Sequence, residues 1–318
     1  MRAVVLGGGT WGTSFSRLLV DRGFDVTLAV RDAEVARAIA ETGHNPHYSS
    51  SVDLNGIVAT TIADAPVEDT DLIVVAVPSR AFRGVVQSLP GTAPVLSLTK
   101  GLDPDTGERL STLVRGRPVA VLSGPNMAEE VVAGLPGATV IASEDGAFAT
   151  QLQAAINSNV FRVYLNDDLI GVELCAAAKN VIALAAGAVD GLGLGDNAKA
   201  TIVTRGLVEM ARLGGALGAD SETFSGLAGM GDLIVTCWHP SGRNRRAGEM
   251  IARGDTPEQA RVAIGQVVEG LTTAPVLRDL SRRLNIELPI TEGVCAVLEG
   301  RSIFELAGDL MGRRPTEE

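Results

Sequence analysis

Short apolar runs rich in β-branched residues recur along the first half of the chain, with amphipathic stretches between them. They are RAVVLG (2–7), DVTLAV (25–30), DLIVVAV (71–77), PVLSLT (94–99), VAVLS (119–123), ATVIAS (138–143) and VFRVYL (160–165). Continuous apolar strands that alternate with helices predict a mostly parallel sheet covered on both faces. From about residue 166 the strand-like runs stop, and Ala-, Leu- and Gly-rich segments with helical spacing follow at roughly 167–190, 196–218, 243–253, 268–284 and 292–299. The pattern predicts a doubly wound α/β domain over 1–165 and an all-α domain over 166–318.

One stretch breaks the polarity pattern. GVELCAAAKNVIALAAGAV (171–189) is almost wholly apolar, yet Lys179 stands in its middle. A helix apolar all round is normally buried, and an ammonium there must snorkel to water, find a partner or lose its proton. The surrounding small residues favour close helix packing and leave a lysine little room to reach water. A desolvated ammonium has a lowered pKa, so it can take a proton from an alcohol near neutral pH and return it in the reverse direction. The competing reading is a stem lying along the surface with its head solvated.

In VVLGGGTWGTSFSRLL the residues Gly7, Gly9 and Gly12 form G-x-G-x-x-G between a predicted strand and a predicted helix. Each serves a physical purpose, respectively a tight turn, close approach of the backbone to a pyrophosphate, and close packing of helix on strand. In a chain with 37 glycines the spacing alone says little, and the strand–helix junction is what gives it weight. Thr10 and Trp11 lie inside the loop and are expected to border the dinucleotide. At the end of the second strand, VTLAVRD offers Arg31 before Asp32. An arginine there suits a 2′-phosphate and leans toward NADPH, while the adjacent carboxylate keeps NADH open; alternatively Asp32 simply caps the helix AEVARAIA.

Open parallel sheets bind ligands beyond the carboxyl ends of their strands. Two further strand ends carry polar groups there: Lys100 in PVLSLTKG, and Gly124 and Asn126 in VLSGPNMAEE. In the second half, GLAGMGDLIVTC places Asp232 and Thr236 four apart, on one face if helical. Then GRNRR gathers Arg243, Arg245 and Arg246 about Asn244. Arginine recognises phosphate or carboxylate with a planar fork.

Composition narrows the partners. A net charge of −11 argues against a sequence-independent grip on nucleic acid or anionic lipid, so an anionic ligand must meet a local cluster of cations. At 318 residues and 46% hydrophobic content, two domains with sizeable cores are expected. Cys175, Cys237 and Cys295 are odd in number and far apart, which indicates neither a disulfide framework nor a zinc site and suits a reducing cytoplasm. MRAVVLGGG is too short for a signal-peptide core, and no uncharged run reaches membrane-spanning length, so a soluble, unprocessed chain without membrane insertion is expected. His44 and His47 in GHNPHYSS have no third ligand in sight and no metal is expected; His239 precedes the arginines in a loop.

Taken in order, GGGTWGT, LSLTKGLD, SGPNMAEE, AAAKNVIALAAGAVDGLGLGDNAKA, GLAGMGDLIVTC, GRNRR and QVVEGLTT resemble the NAD(P)-dependent glycerol-3-phosphate dehydrogenases of the soluble bacterial type, from the glycine loop to about residue 305. The resemblance implies a Rossmann domain joined to a helical domain like the C-terminal part of 6-phosphogluconate dehydrogenase. It implies reversible hydride transfer between C2 of sn-glycerol 3-phosphate and a nicotinamide, with dihydroxyacetone phosphate as the ketone, in a cytoplasmic homodimer serving phospholipid synthesis. By motif, Lys179 becomes the general base and acid, and Lys100 contacts substrate, cofactor and the reacting oxygen. Asp232 and Thr236 orient Lys179 and the substrate hydroxyls. Gly124, Asn126 and Gly242 line the substrate, Arg243 and Asn244 clamp its phosphate, and Ala128, Val267, Glu269 and again Arg243 line the cofactor cleft. Many bacterial members have Ser or Thr at Asn126 and Ser at Gly242, which leaves the relative affinity open.

Two other readings compete. Ketopantoate reductases and sugar-acid dehydrogenases also join a Rossmann domain to helices, but lack this form of the phosphate clamp. A dinucleotide-binding sensor without catalysis need not retain Lys100, Lys179 and Asp232.

Overall fold

The computed structural model describes residues 1–48 and 51–303. The first part of the chain runs β1 (Arg2–Leu6), α1 (Thr10–Asp21), β2 (Asp25–Val30), α2 (Ala33–Thr42), β3 (Val58–Thr61), β4 (Leu72–Val75), α3 (Ser79–Gln87), β5 (Val95–Ser97), β6 (Val119–Ser123), α4 (Ala128–Val132), β7 (Gly137–Ala142), α5 (Gly146–Ile156) and β8 (Phe161–Asn166). These strands form one eight-stranded sheet in the order β3-β2-β1-β4-β5-β6-β7-β8. Every neighbouring pair is parallel except β6 and β7. The order reverses between β1 and β4, the crevice where doubly wound sheets bind ligands. Two apolar clusters cover the sheet, one holding Phe15, Leu19, Val26 and Leu28, the other Ile73, Val75, Phe82 and Val95.

Helices follow: α6 (Leu169–Gly191), α7 (Gly195–Ala216), α8 (Ser221–Ser225), α9 (Asp232–Trp238), α10 (Arg243–Ala252), α11 (Pro257–Ile264), α12 (Glu269–Leu284) and α13 (Pro289–Leu298). A π-helical turn, Leu227–Gly231, leads directly into α9. The chain divides into two compact units, Met1–Ala176 with Leu217–Asp232, and Ala177–Ala216 with the residues from Leu233 onward. The first division falls inside α6.

Local chemistry explains several of the element ends. The Asp32 carboxylate accepts from the Glu34 N–H at 2.8 Å and starts α2, which Gly43 ends in the left-handed conformation. Asp145 starts α5 in the same manner. The sequence pattern yields seven strands, and the described residues form eight. The added β3, VATT, is a short edge strand with no buried position, so it lacks the apolar run that marks the others. The sequence pattern also omits α11, whose start is a full capping box between Thr256 and Gln259 with Pro257 at its first position. α6 is long and apolar enough to cross a membrane by length and composition, but 89% of its most apolar window is buried in the protein.

Candidate functional site

The glycine loop has the stereochemistry that its sequence implies. Gly7 has φ of +117°, and a Cβ there would lie 2.6 Å from the Ala76 carbonyl oxygen. At Gly12 a Cβ would lie 1.9 Å from the Gly7 carbonyl oxygen, so only glycine lets α1 sit this close to β1. A Cβ on Gly9, by contrast, would meet nothing within 4 Å. That open face is where a pyrophosphate can approach the backbone. Gly9 is also the N-cap of α1, which has no side-chain cap and no acidic residue in its first turn, so its N–H groups and positive dipole end suit an anion. Thr10 and Trp11, expected inside the loop, are the half-buried first two residues of α1, with the Trp11 ring 5.6 Å from that of Phe15. Arg31 is exposed at the end of β2, next to the capping Asp32. The residues present therefore fit a dinucleotide.

At the carboxyl ends of β5 and β6 lies an ion pair. The Lys100 ammonium donates to the Asp232 carboxylate at 2.7 Å and to the Gly124 carbonyl at 3.3 Å. Ser123 Oγ donates to the same Asp232 oxygen at 3.4 Å. Asp232 is 2% exposed. The π-helical turn leads into it: a Cβ on Gly229 would lie 2.1 Å from the Phe224 carbonyl oxygen, so Gly229 is what permits the tight approach within that turn. The Asn126 side chain is committed to β7, donating to the Ala138 carbonyl and accepting from Thr139 Oγ1, each at 2.9 Å. Ala128 is the buried first residue of α4.

In the helical unit, Lys179 is 5% exposed and donates to Thr236 Oγ1 at 2.9 Å. Its helix packs at backbone distance on α10: a Cβ on Gly248 would lie 1.9 Å from the Leu184 carbonyl oxygen, and one on Gly187 would lie 1.8 Å from that of Arg245. The small residues of this stretch thus allow α6 and α10 to pack at backbone distance. Asn180, the next residue, accepts from Asn244 Nδ2 at 2.9 Å, while Asn244 Oδ1 accepts from the Gly270 N–H at 2.9 Å. One buried amide therefore ties α6, α10 and the first turn of α12, and Asn244 spends its oxygen on the scaffold. Val267 is half-buried just before that turn, and Glu269 opens it.

The arginines of the basic cluster point different ways. Gly242 is the N-cap of α10 and Arg243 its exposed first residue, with no side-chain cap and no acid in the first turn. Arg245 instead faces inward, donating to Asp190 at 2.5 Å and to the His239 and Pro240 carbonyls at 3.3 and 3.2 Å. Asp190 also accepts from Lys199 at 2.8 Å, and the Lys199 ammonium stands 5.2 Å from the Trp238 ring centroid. Burial pushes the Asp190 carboxyl up, but the hydrogen bonds and charges of Lys199 and Arg245 outweigh it and hold the group below the usual carboxylate range. His239 Nδ1 lies 2.9 Å from Ser241 Oγ in the same loop. Sequence reasoning does not single out Ser123, Asp190 or Lys199, and gives Asn180 no role beyond its place after Lys179. Only Lys199 carries a signal, a lysine among small residues in GDNAKA, the same context as Lys179.

Other residues marked by the sequence are held locally. His44 Nδ1 lies 3.0 Å from the Val52 carbonyl oxygen. Cys175, Cys237 and Cys295 are all buried, and burial pushes the Cys295 thiol up to about 11.

Comparison with known proteins gives a consistent family. Residues 2–149 match the profile described as NAD-dependent glycerol-3-phosphate dehydrogenase N-terminus, and residues 168–307 that of its C-terminus. The chain is 43% identical over 333 residues to glycerol-3-phosphate dehydrogenase [NAD(P)+] of Nocardia farcinica, covering 98% of each chain. It is 45% identical over 323 residues to the protein of that name from Moorella thermoacetica, covering 99% of this chain and 96% of the other. Among solved structures, glycerol-3-phosphate dehydrogenase from Coxiella burnetii superposes with a TM-score of 0.94 at 36% identity, covering 98% and 99% of the two chains. A ketopantoate reductase from Ralstonia eutropha reaches a TM-score of 0.60 at 19% identity, covering 94% and 97%, a likeness of fold alone.

Proposed function

The chain belongs to the NAD-dependent glycerol-3-phosphate dehydrogenase family, and from that premise we propose that Lys179 is the proton-transferring group of its reaction. That reaction is the NAD(P)-dependent interconversion of sn-glycerol 3-phosphate and dihydroxyacetone phosphate. The single observation that carries the proposal is a lysine 5% exposed in an apolar helix, its ammonium donating to Thr236 Oγ1 at 2.9 Å. A lysine so enclosed exchanges its proton with a bound alcohol or ketone oxygen rather than with bulk water.

The dinucleotide, when bound, accepts or returns the hydride at the substrate's C2. Gly7, Gly9, Thr10, Trp11 and Gly12 receive its diphosphate, and Arg31 pairs with a 2′-phosphate, which favours NADPH over NADH. Ala128, Val267 and Glu269 are the remaining cofactor contacts of this reading. Lys100, held by Asp232, contacts the reacting oxygen and stabilises the charge that develops on it. Thr236 keeps Lys179 in place. The start of α10 clamps the substrate phosphate through Arg243 and Asn244, with the positive end of the helix dipole adding to the attraction. Gly124 contributes backbone and Gly242 a small N-cap that leaves the phosphate side open. The enzyme works as a cytoplasmic homodimer on a small phosphorylated substrate and supplies the glycerol backbone of phospholipids, as the family implies.

The test is oxidation of NADPH and of NADH by the purified protein with dihydroxyacetone phosphate, followed at the nicotinamide absorbance. Turnover with the phosphorylated ketone, absent with ketopantoate, is the expected result. Binding of dinucleotide with no turnover on phosphorylated ketones would instead support a sensor.

A further inference from the structure

Between the two histidines of GHNPHYSS lies Asn45, which has no exposed surface. Its amide nitrogen donates to the Gly8 carbonyl at 2.9 Å and to Thr13 Oγ1 at 3.0 Å. Its oxygen accepts from the N–H groups of His47 at 3.1 Å and Tyr48 at 3.2 Å. Thr13 Oγ1 closes the ring by donating to the Gly8 carbonyl at 3.3 Å. Both donors and both acceptor positions of the amide are therefore used, and the Gly8 carbonyl is directed at buried groups. The position of Gly8 is itself fixed, since a Cβ there would lie 2.4 Å from Val30 Cγ1.

The electrostatic reason for such a device follows from what the loop binds. A loop that receives a diphosphate must present N–H groups to it, and a carbonyl turned the same way would repel the anion. We propose that Asn45 is a positioning residue of the dinucleotide loop, which holds the Gly8 carbonyl turned inward so that the loop presents donors to the diphosphate. This rests on the dinucleotide reading given above. It predicts an effect on the diphosphate portion of any ligand, independent of the 2′-phosphate and of the substrate.

The test compares Asn45→Asp and Asn45→Ser with the unaltered protein. Both substitutions remove the amide donors, the first with almost no change of shape. Dissociation constants for NADH, NADPH and ADP-ribose are measured by titration calorimetry, with circular dichroism and melting to verify the fold. All three ligands weaken by a common factor of about tenfold. At saturating cofactor, kcat and the KM for dihydroxyacetone phosphate stay within about twofold, a split that general loosening of the fold does not produce. A folded variant with unchanged affinity for all three, or a loss confined to NADPH, overturns the inference. So does failure of both variants to fold, which makes Asn45 purely structural. If the unaltered protein binds none of the three, the dinucleotide reading itself fails.

Discussion

Replacing Asp190 by asparagine tests whether the base of α10 is held by charge. The carboxylate joins Lys199 and Arg245, whose donor atoms lie 2.8 and 2.5 Å from one oxygen, and its side chain is 24% exposed. Removing one member of a buried pair costs about 3–5 kcal/mol. Three features reduce this here: the partial exposure, the contact that Arg245 keeps with Glu249 at 3.2 Å, and the amide oxygen, which still accepts one donor for about 1 kcal/mol. A destabilisation of about 2 kcal/mol is the net expectation. Because the folded carboxyl is held below its ordinary range, its stabilisation is whole above the unfolded pKa and is lost as pH falls through the folded value. The difference between the two proteins is therefore full at about pH 7 and shrinks below about pH 4.

The same substitution has a kinetic consequence. Arg245 anchors the loop at His239 and Pro240, directly before the proposed phosphate clamp. Loosening it raises the KM for dihydroxyacetone phosphate about tenfold, while kcat and the KM for NADPH stay within about threefold. Urea unfolding at two pH values and steady-state kinetics measure both effects. A loss of stability under about 0.5 kcal/mol at neutral pH, or one independent of pH, would refute the reasoning.

Three further outcomes follow from the structure. Burial pushes the Glu173 carboxyl above its usual range against the hydrogen bonds from Ser111 and the charge of Arg109, so its contribution is whole at low pH and falls as pH rises through the folded value; melting of Glu173→Gln between about pH 4 and 8 shows the variant gaining on the unaltered protein as pH rises. Arg31→Ala weakens NADPH by about tenfold and leaves NADH within about twofold, read from the two KM values. Gly12→Ala forces a Cβ to within 1.9 Å of the Gly7 carbonyl oxygen, and binding of both dinucleotides is lost in direct titration.

Much of the architecture was legible because two periodicities separate cleanly. The central strands β1 and β4 are buried almost throughout and read as continuous apolar runs, whereas the helical half has small residues at close crossings. β3 was not legible, since an edge strand with no buried residue carries no apolar signature. The start of α11 was legible in principle, because TPEQ spells out its capping box. At the candidate site, residue types supplied the candidates, but spacing could not assign their partners. Within GRNRR, Arg243 and Arg245 look alike, and only the fold reveals that Arg245 is tied to Asp190. Asn244 was read for its contact with phosphate, yet its buried side chain joins three helices. Asn45 was hidden between two histidines that drew attention to metal chemistry, and its bonds to Gly8 and Thr13 span more than thirty positions of sequence.

The central claim is that the enclosed amine of Lys179 moves the proton. Its most direct test is Lys179→Ala, assayed for reduction of dihydroxyacetone phosphate beside a titration of NADPH. The account predicts that kcat falls by at least about a thousandfold while the dissociation constant for NADPH changes less than about twofold. Turnover kept within about tenfold of the unaltered enzyme, in a folded protein that binds NADPH normally, contradicts it.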